Sequence, residues 1–178
     1  MNPYPLIQKY YTPGTELYHV LVTHSEQVRD LALEVAKKHP ELEADIEFIA
    51  EAAMLHDIGI FLCDAPRIFC HGSHQYIEHG YLGADLLRKE GLDRHALVCE
   101  RHTGTGISLE KIKEHNLPVP HRDMLPVTIE EQIICYADKF FSKTALNSMH
   151  DPAKISKMLG RHGQENIAVF DTWHIRFS

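Results

Sequence analysis

Apolar residues recur at spacings of three and four along most of the chain, and short polar turns separate the stretches that carry them. After Thr12-Pro13-Gly14, the residues Leu17, Val20, Leu21, Val28, Leu31, Ala32 and Val35 fall on one stripe of an amphipathic helix running to about residue 38, with Pro40 ending it. Position 24 lies on that stripe and is a histidine. A second helix is predicted over about residues 41–57, with Ile46, Ile49, Ala50, Ala53 and Met54 inward, and Gly59 as a stop that accepts the left-handed conformation. Residues 61–73, with Pro66 and Gly72, read as irregular. Helices follow over about 76–90, ended by Gly91, and over 94–102. Thr103-Gly-Thr-Gly106 is a loop, Ser108 caps a helix over 109–115, and the stretch from Pro118 to Pro126 is too rich in proline to be helical. Thr128-x-x-Glu131 has the form of a capping box and opens a long helix through about residue 148. Asp151-Pro152 starts a last short helix. In the tail, Trp173, Ile175 and Phe177 alternate with His174 and Arg176, which suits an extended strand or a docked tail. No repeat, low-complexity segment or linker interrupts this order, so the fold class is all-α.

Composition narrows the class of function. A chain of 178 residues suits one domain and buries enough surface to need no disulfides. Hydrophobic residues at 44% and charged residues at 24% exclude a disordered chain. The net charge of -7 argues against general binding to nucleic acid, which depends on Lys and Arg neutralising phosphates, but leaves room for a local basic pocket. Cys63, Cys70, Cys99 and Cys135 form no CxxC pair and read as reduced, buried thiols of a cytoplasmic protein. The start MNPYPLIQKYY lacks the charge and apolar run of a signal peptide, and no apolar run approaches the ~20 residues of a membrane span.

The 14 histidines matter through their positions. His24 on an apolar stripe is either a satisfied core residue or a metal ligand. His56-Asp57 closes an apolar helix, at the end where the helix dipole favours a cation. A surface dipeptide would not follow Ala52-Ala53-Met54-Leu55 and precede Ile58, and a buried carboxylate needs a partner. Asp138 lies among Ile133, Ile134, Tyr136, Ala137, Phe140 and Phe141, where it pairs with a Lys or Arg or supplies a carboxylate to the same metal. Together His24, His56, Asp57 and Asp138 offer four ligands from three helices, an open site of catalytic type.

His24, then Met54-Leu55-His56-Asp57-Ile58-Gly59, then Tyr136-Ala137-Asp138-Lys139, resembles the HD-domain phosphohydrolase superfamily over about residues 18–145. The resemblance implies a compact helical bundle, here one HD domain over 1–178 with a C-terminal helix and tail from residue 146. It implies a divalent transition metal, one ion or two, held by His24, His56, Asp57 and Asp138, and hydrolysis of phosphoesters or polyphosphates, often in nucleotides. In branches with two metals, two further histidines lie between the HD pair and the last Asp. His79 and His102 occupy fitting positions, and Asp57 would then bridge the ions. Fe, Mn, Co, Ni and Zn all accept such ligands.

Metal-activated water is the expected nucleophile, with Asp57 and Lys139 as the catalytic pair of side chains. Lys139, Arg101 and His74 are the candidate contacts to a small phosphorylated substrate, with Arg67 and His71 behind them. His150-Asp151 precedes Pro152 and reads as a helix cap rather than a second centre. A dinuclear iron oxygenase of the same layout, a nucleotide-sensing module without turnover and a helical structural protein with scattered histidines are the alternatives, and a homo-oligomer is left open.

Overall fold

The computed structural model describes residues 1–178 and contains nine α-helices, with a two-residue antiparallel pair (Asp64–Ala65 with Cys70–His71) as its only sheet. The helices are α1 (Tyr4–Tyr10), α2 (Glu16–Lys38), α3 (Ile46–Leu55), α4 (His79–Lys89), α5 (Asp93–Arg101), α6 (Leu109–Glu114), α7 (Ile129–Asp138), α8 (Pro152–Leu159) and α9 (Gln164–Phe177). The all-α class follows the 3.6-residue periodicity, and the starts follow local chemistry. Thr15, Asp45, Ser108, Thr128 and Asp151 each accept a backbone N–H of the first turn of their helix. Asp151 thereby acts as the cap expected ahead of Pro152.

Two apolar clusters make up most of the interior. One joins Val28, Ala32, Phe48, Ile49, Ala53, Ile133, Ile134, Ala137, Phe170 and Phe177. The other joins Ile7, Val20, Leu21, Met54, Leu55, Ile58, Leu87 and Cys99. Helix α2 contributes to both, with Val20 and Leu21 on one side of position 24 and Val28 on the other. Helix α3 does the same, since Ala53 belongs to the first cluster and Met54 to the second. His24 and His56 therefore sit at the seam where the two cores meet. All four cysteines are free and buried.

Three expectations are corrected and one helix is added. The tail is helical: Phe170, Trp173 and Phe177 are buried on one face of α9, while Ile175 is 85% exposed. The alternation at 173, 175 and 177 is a coincidence within a helical spacing of 170, 173 and 177. Helix α7 ends at Asp138, not near residue 148, so Asp138 closes the helix rather than lying inside it. Ser142 and Thr144 bond to each other at 3.0 Å, and the Ser142 hydroxyl takes the Thr144 N–H; such local bonds compete with helix. The chain turns back there, and the His150 N–H donates to the Phe140 carbonyl. Gly59 is not left-handed (φ -87°) but packs against backbone. A Cβ on it would lie 2.3 Å from the His79 carbonyl oxygen and 2.5 Å from the Gly83 nitrogen, so its lack of a side chain lets α4 approach the HD pair. Finally, α1 has no counterpart in the periodicity reading; it buries Ile7, and Tyr11 just beyond it donates to the Ile58 carbonyl at 2.8 Å.

Candidate metal centre

Five helices deliver the donor atoms. His24 comes from the middle of α2, His56 caps the end of α3 with Asp57 after it, His79 opens α4, His102 caps α5, and Asp138 ends α7. His24, His56 and Asp57 are 0% exposed, and His102 and His79 are 2% and 4% exposed.

These side chains form two groups that share one carboxylate. His24, His56, Asp57 and Asp138 can each offer an atom within 4.8 Å of the others, and so can Asp57, His79 and His102. The oxygens of Asp57 divide between them. Oδ2 lies 3.2 Å from His24 Nε2 and 3.0 Å from His56 Nε2. Oδ1 lies 3.4 Å from His79 Nε2 and 3.3 Å from His102 Nε2. Asp138 closes the first group, with Oδ1 2.9 Å from His24 Nε2 and 3.5 Å from His56 Nε2.

Three of the imidazoles are aimed by the same device. His56, His79 and His102 each set Nδ1 against the carbonyl three residues earlier: Ala53 at 2.6 Å, Tyr76 at 2.5 Å and Cys99 at 2.7 Å. Ala53 and Cys99 lie in the last turns of α3 and α5, where carbonyls run short of intrahelical donors, whereas the Tyr76 carbonyl, in the short turn before α4, also accepts the His79 backbone N–H. With Nδ1 donating, Nε2 keeps its lone pair and points it into the seam, the orientation of a metal-ligating histidine.

The electrostatics suit a cation. Burial alone would raise the Asp57 carboxyl, but His56 and Lys143 outweigh it and hold Asp57 well below the usual carboxylate range. Asp138 behaves likewise under Lys139 and His24. His79 is pushed down to about 3 by burial and by neighbouring His102, and burial lowers His102 too, so both stay neutral. His56 is the exception: Asp57 and Asp138 overcome its burial and raise it to about 9. Both oxygens of Asp57, Nε2 of His56 and Nδ1 of His24 are buried without a hydrogen bond of proper geometry. Two ionised carboxylates and four converging imidazoles, with the Asp57 oxygens and His56 Nε2 left unsatisfied by the protein itself, fit a divalent transition metal.

Two lysines stand at the edge. Lys139 Nζ lies 2.7 Å from Asp138 Oδ2 and donates to the His102 carbonyl at 3.0 Å. Lys143 Nζ lies 2.6 Å from Asp57 Oδ2. The sequence reading missed Lys143 because it fell inside a stretch taken as continuous helix; the helix-poor Ser142 and Thr144 on either side were the available signal. Arg101 and His74 are elsewhere. Arg101 Nη1 donates to both oxygens of the buried Glu131, at 3.1 and 3.0 Å, and His74 pairs with Glu78 at 3.0 Å. Neither lines the cavities that open beside the centre, whereas Arg67 lines both.

A family model described as HD domain matches residues 21–142. An uncharacterized protein of Methanocaldococcus jannaschii is 39% identical over 78% of this chain and 74% of its own length. Two proteins named tRNA (cytidine(56)-2'-O)-methyltransferase, from Thermoplasma volcanium and Picrophilus torridus, are 37% and 35% identical over 68% and 83% of this chain. This chain spans about a third of those two relatives, 32% and 37% of their length. Among solved structures, the HD domain of the L. monocytogenes phosphodiesterase PgpH in complex with cyclic-di-AMP has a TM-score of 0.55 at 22% identity, covering 97% of this chain and 96% of that one.

Proposed function

The chain belongs to the HD domain family, and on that premise we propose that it is a metal-dependent phosphohydrolase cleaving a phosphate ester or phosphoanhydride of a small phosphorylated molecule. The observation that carries the reading is the carboxylate of Asp57, which faces two histidine-containing donor groups with separate oxygens. His24, His56, Asp57 and Asp138 would hold one ion, and Asp57, His79 and His102 a second. Fe, Mn, Co, Ni and Zn are the metals these donors suit. A metal bound there supplies a Lewis acid and a water acid enough to act as nucleophile near neutral pH.

The chain's own residues do the rest. Asp57 keeps both oxygens ionised and turned to opposite groups. The carbonyls of Ala53, Tyr76 and Cys99 hold three imidazoles in the ligating tautomer. Lys139 and Lys143, both largely buried, supply fixed positive charge for a phosphoryl group whose oxygens gain charge in the transition state. The HD domain of PgpH is in complex with cyclic-di-AMP, and a cyclic dinucleotide is a substrate class compatible with this reading. Helices α8 and α9 pack into the same core as α7, in keeping with one domain over residues 1–178.

A phosphate-release screen over nucleotides and small phosphoesters, with Mn, Fe, Co, Ni or Zn added singly, tests the proposal. Release should require metal and vanish together with metal binding in Asp57→Ala. Metal-independent turnover by a folded Asp57→Ala protein would sink it. Oxygen consumption by the iron-loaded protein, with no phosphate released from any compound, would move the reading to a dinuclear iron oxygenase.

A further inference from the structure

Two lysines touch the carboxylates of the donor groups, and they touch them differently. On Asp57, Lys143 Nζ lies 2.6 Å from Oδ2, the oxygen that also faces His24 and His56. On Asp138, Lys139 Nζ lies 2.7 Å from Oδ2, whereas the oxygen that faces His24 and His56 is Oδ1. A cation held by these donors competes with Lys143 for an oxygen and does not compete with Lys139.

A long cationic side chain at the C-terminus of a helix ordinarily reaches for water or for the last carbonyls of its own helix. Lys139 caps α7, yet its side chain is only 10% exposed. Two of its three N–H donors go to Asp138 Oδ2 and, at 3.0 Å, to the backbone carbonyl of His102, which caps α5. The Cys135 thiol approaches the same carbonyl at 3.3 Å. His102 is thus held twice, its ring by the Cys99 carbonyl and its backbone by Lys139, while its Nε2 faces Asp57 Oδ1. One ammonium joins Asp138 of the first donor group to His102 of the second.

We infer that Lys139 is a positioning residue of the metal centre: it fixes which oxygen of Asp138 faces the donors, and it ties the ends of α5 and α7 so that the two groups keep one spacing. This part is separate from the charge Lys139 lends the adjoining cavity, and it rests on the two-group centre of the phosphohydrolase reading. Charge and position act with opposite signs here. A lysine beside a metal ion repels it, so loss of the ammonium for its charge alone should tighten metal binding. Loss of a group that orients a ligand should loosen it, by about tenfold or more.

Isothermal titration of manganese into the full chain, with no substrate present, separates the two effects. Lys139→Met should bind manganese about tenfold or more weakly at both steps. Lys143→Met removes the same charge from the contested oxygen and should bind at least as tightly as the unaltered protein. Should Lys139→Met fail to give a cooperative melt, Lys139→Gln is read in its place. Its amide is neutral and its side chain one atom shorter, and it should weaken both steps by a smaller factor. Unchanged or tighter binding in the folded Lys139 variant, or equal weakening in both lysine variants, would overturn the inference and leave the phosphohydrolase reading intact. Fewer than two ions on the unaltered protein would overturn it together with the two-group centre. Weaker binding in Lys139→Met, with no phosphate released from any phosphoester by the unaltered manganese-loaded protein, would support the positioning role and count against hydrolysis.

Discussion

The donor seam and the cavity rim lie next to each other and are built on opposite terms. In the seam every functional side chain leaves a helix or a helix end, and three of four imidazoles are fixed by a carbonyl of their own chain three residues back. At the rim, Arg67 rides on a three-residue turn, and Lys143 sits in the turns after α7. The seam is fixed by packing between two apolar clusters, whereas the rim is fixed by a few local hydrogen bonds and ion pairs. Chemistry that must be the same for every substrate suits the first kind of construction, and recognition of a particular substrate suits the second.

This difference can be broken from the seam side. Gly59→Ala forces a methyl group onto backbone atoms of His79 and Gly83, which cannot yield as a flexible side chain would. The expected cost is about 3 kcal/mol or more, at the upper end for overpacking. A thermal melt should fall by roughly 6 °C or more, using the usual conversion for a domain of this size. An unchanged melt would mean that α4 is free to move away and that the seam is looser than its packing indicates.

A smaller effect sharpens the comparison from outside both regions. Arg101 is a candidate substrate contact by sequence, yet its guanidinium is committed to Glu131, a carboxylate 3% exposed that also takes the Val127 N–H at 2.7 Å. Arg101→Ala should therefore cost about 1–3 kcal/mol of stability by leaving a buried charge short of a partner. KM for any phosphorylated substrate should stay within about twofold, because Arg101 lines neither cavity. A large rise in KM with an unchanged melt would return Arg101 to the site.

The same contrast explains what was legible in the chain. His24 could be read because a polar residue on an apolar helical stripe is conspicuous, and His56-Asp57 because an apolar run leads into it. Both signals come from burial, and burial leaves a periodic trace. His79 and His102 could be located only through family resemblance, although each stands at a helix terminus that the periodicity did mark. Lys143 left no such trace. Its position depends on where α7 stops, and that is settled by contacts such as Ser142 with Thr144. Helix α9 was misread for a related reason. Ile175 is apolar but exposed, and it supplied the false alternation that hid the buried set of Phe170, Trp173 and Phe177.

Asp57 serving two donor groups at once is the feature on which the proposed chemistry depends. Metal content per chain, measured by elemental analysis after loading with manganese and dialysis, tests this directly in the unaltered protein and in His102→Ala. One ion for each of the two groups, two per chain, is the predicted result, falling to about one in His102→Ala while the group of His24, His56, Asp57 and Asp138 stays filled. A single ion in both proteins would contradict a bridging Asp57 and reduce His79 and His102 to neighbours of a one-metal centre.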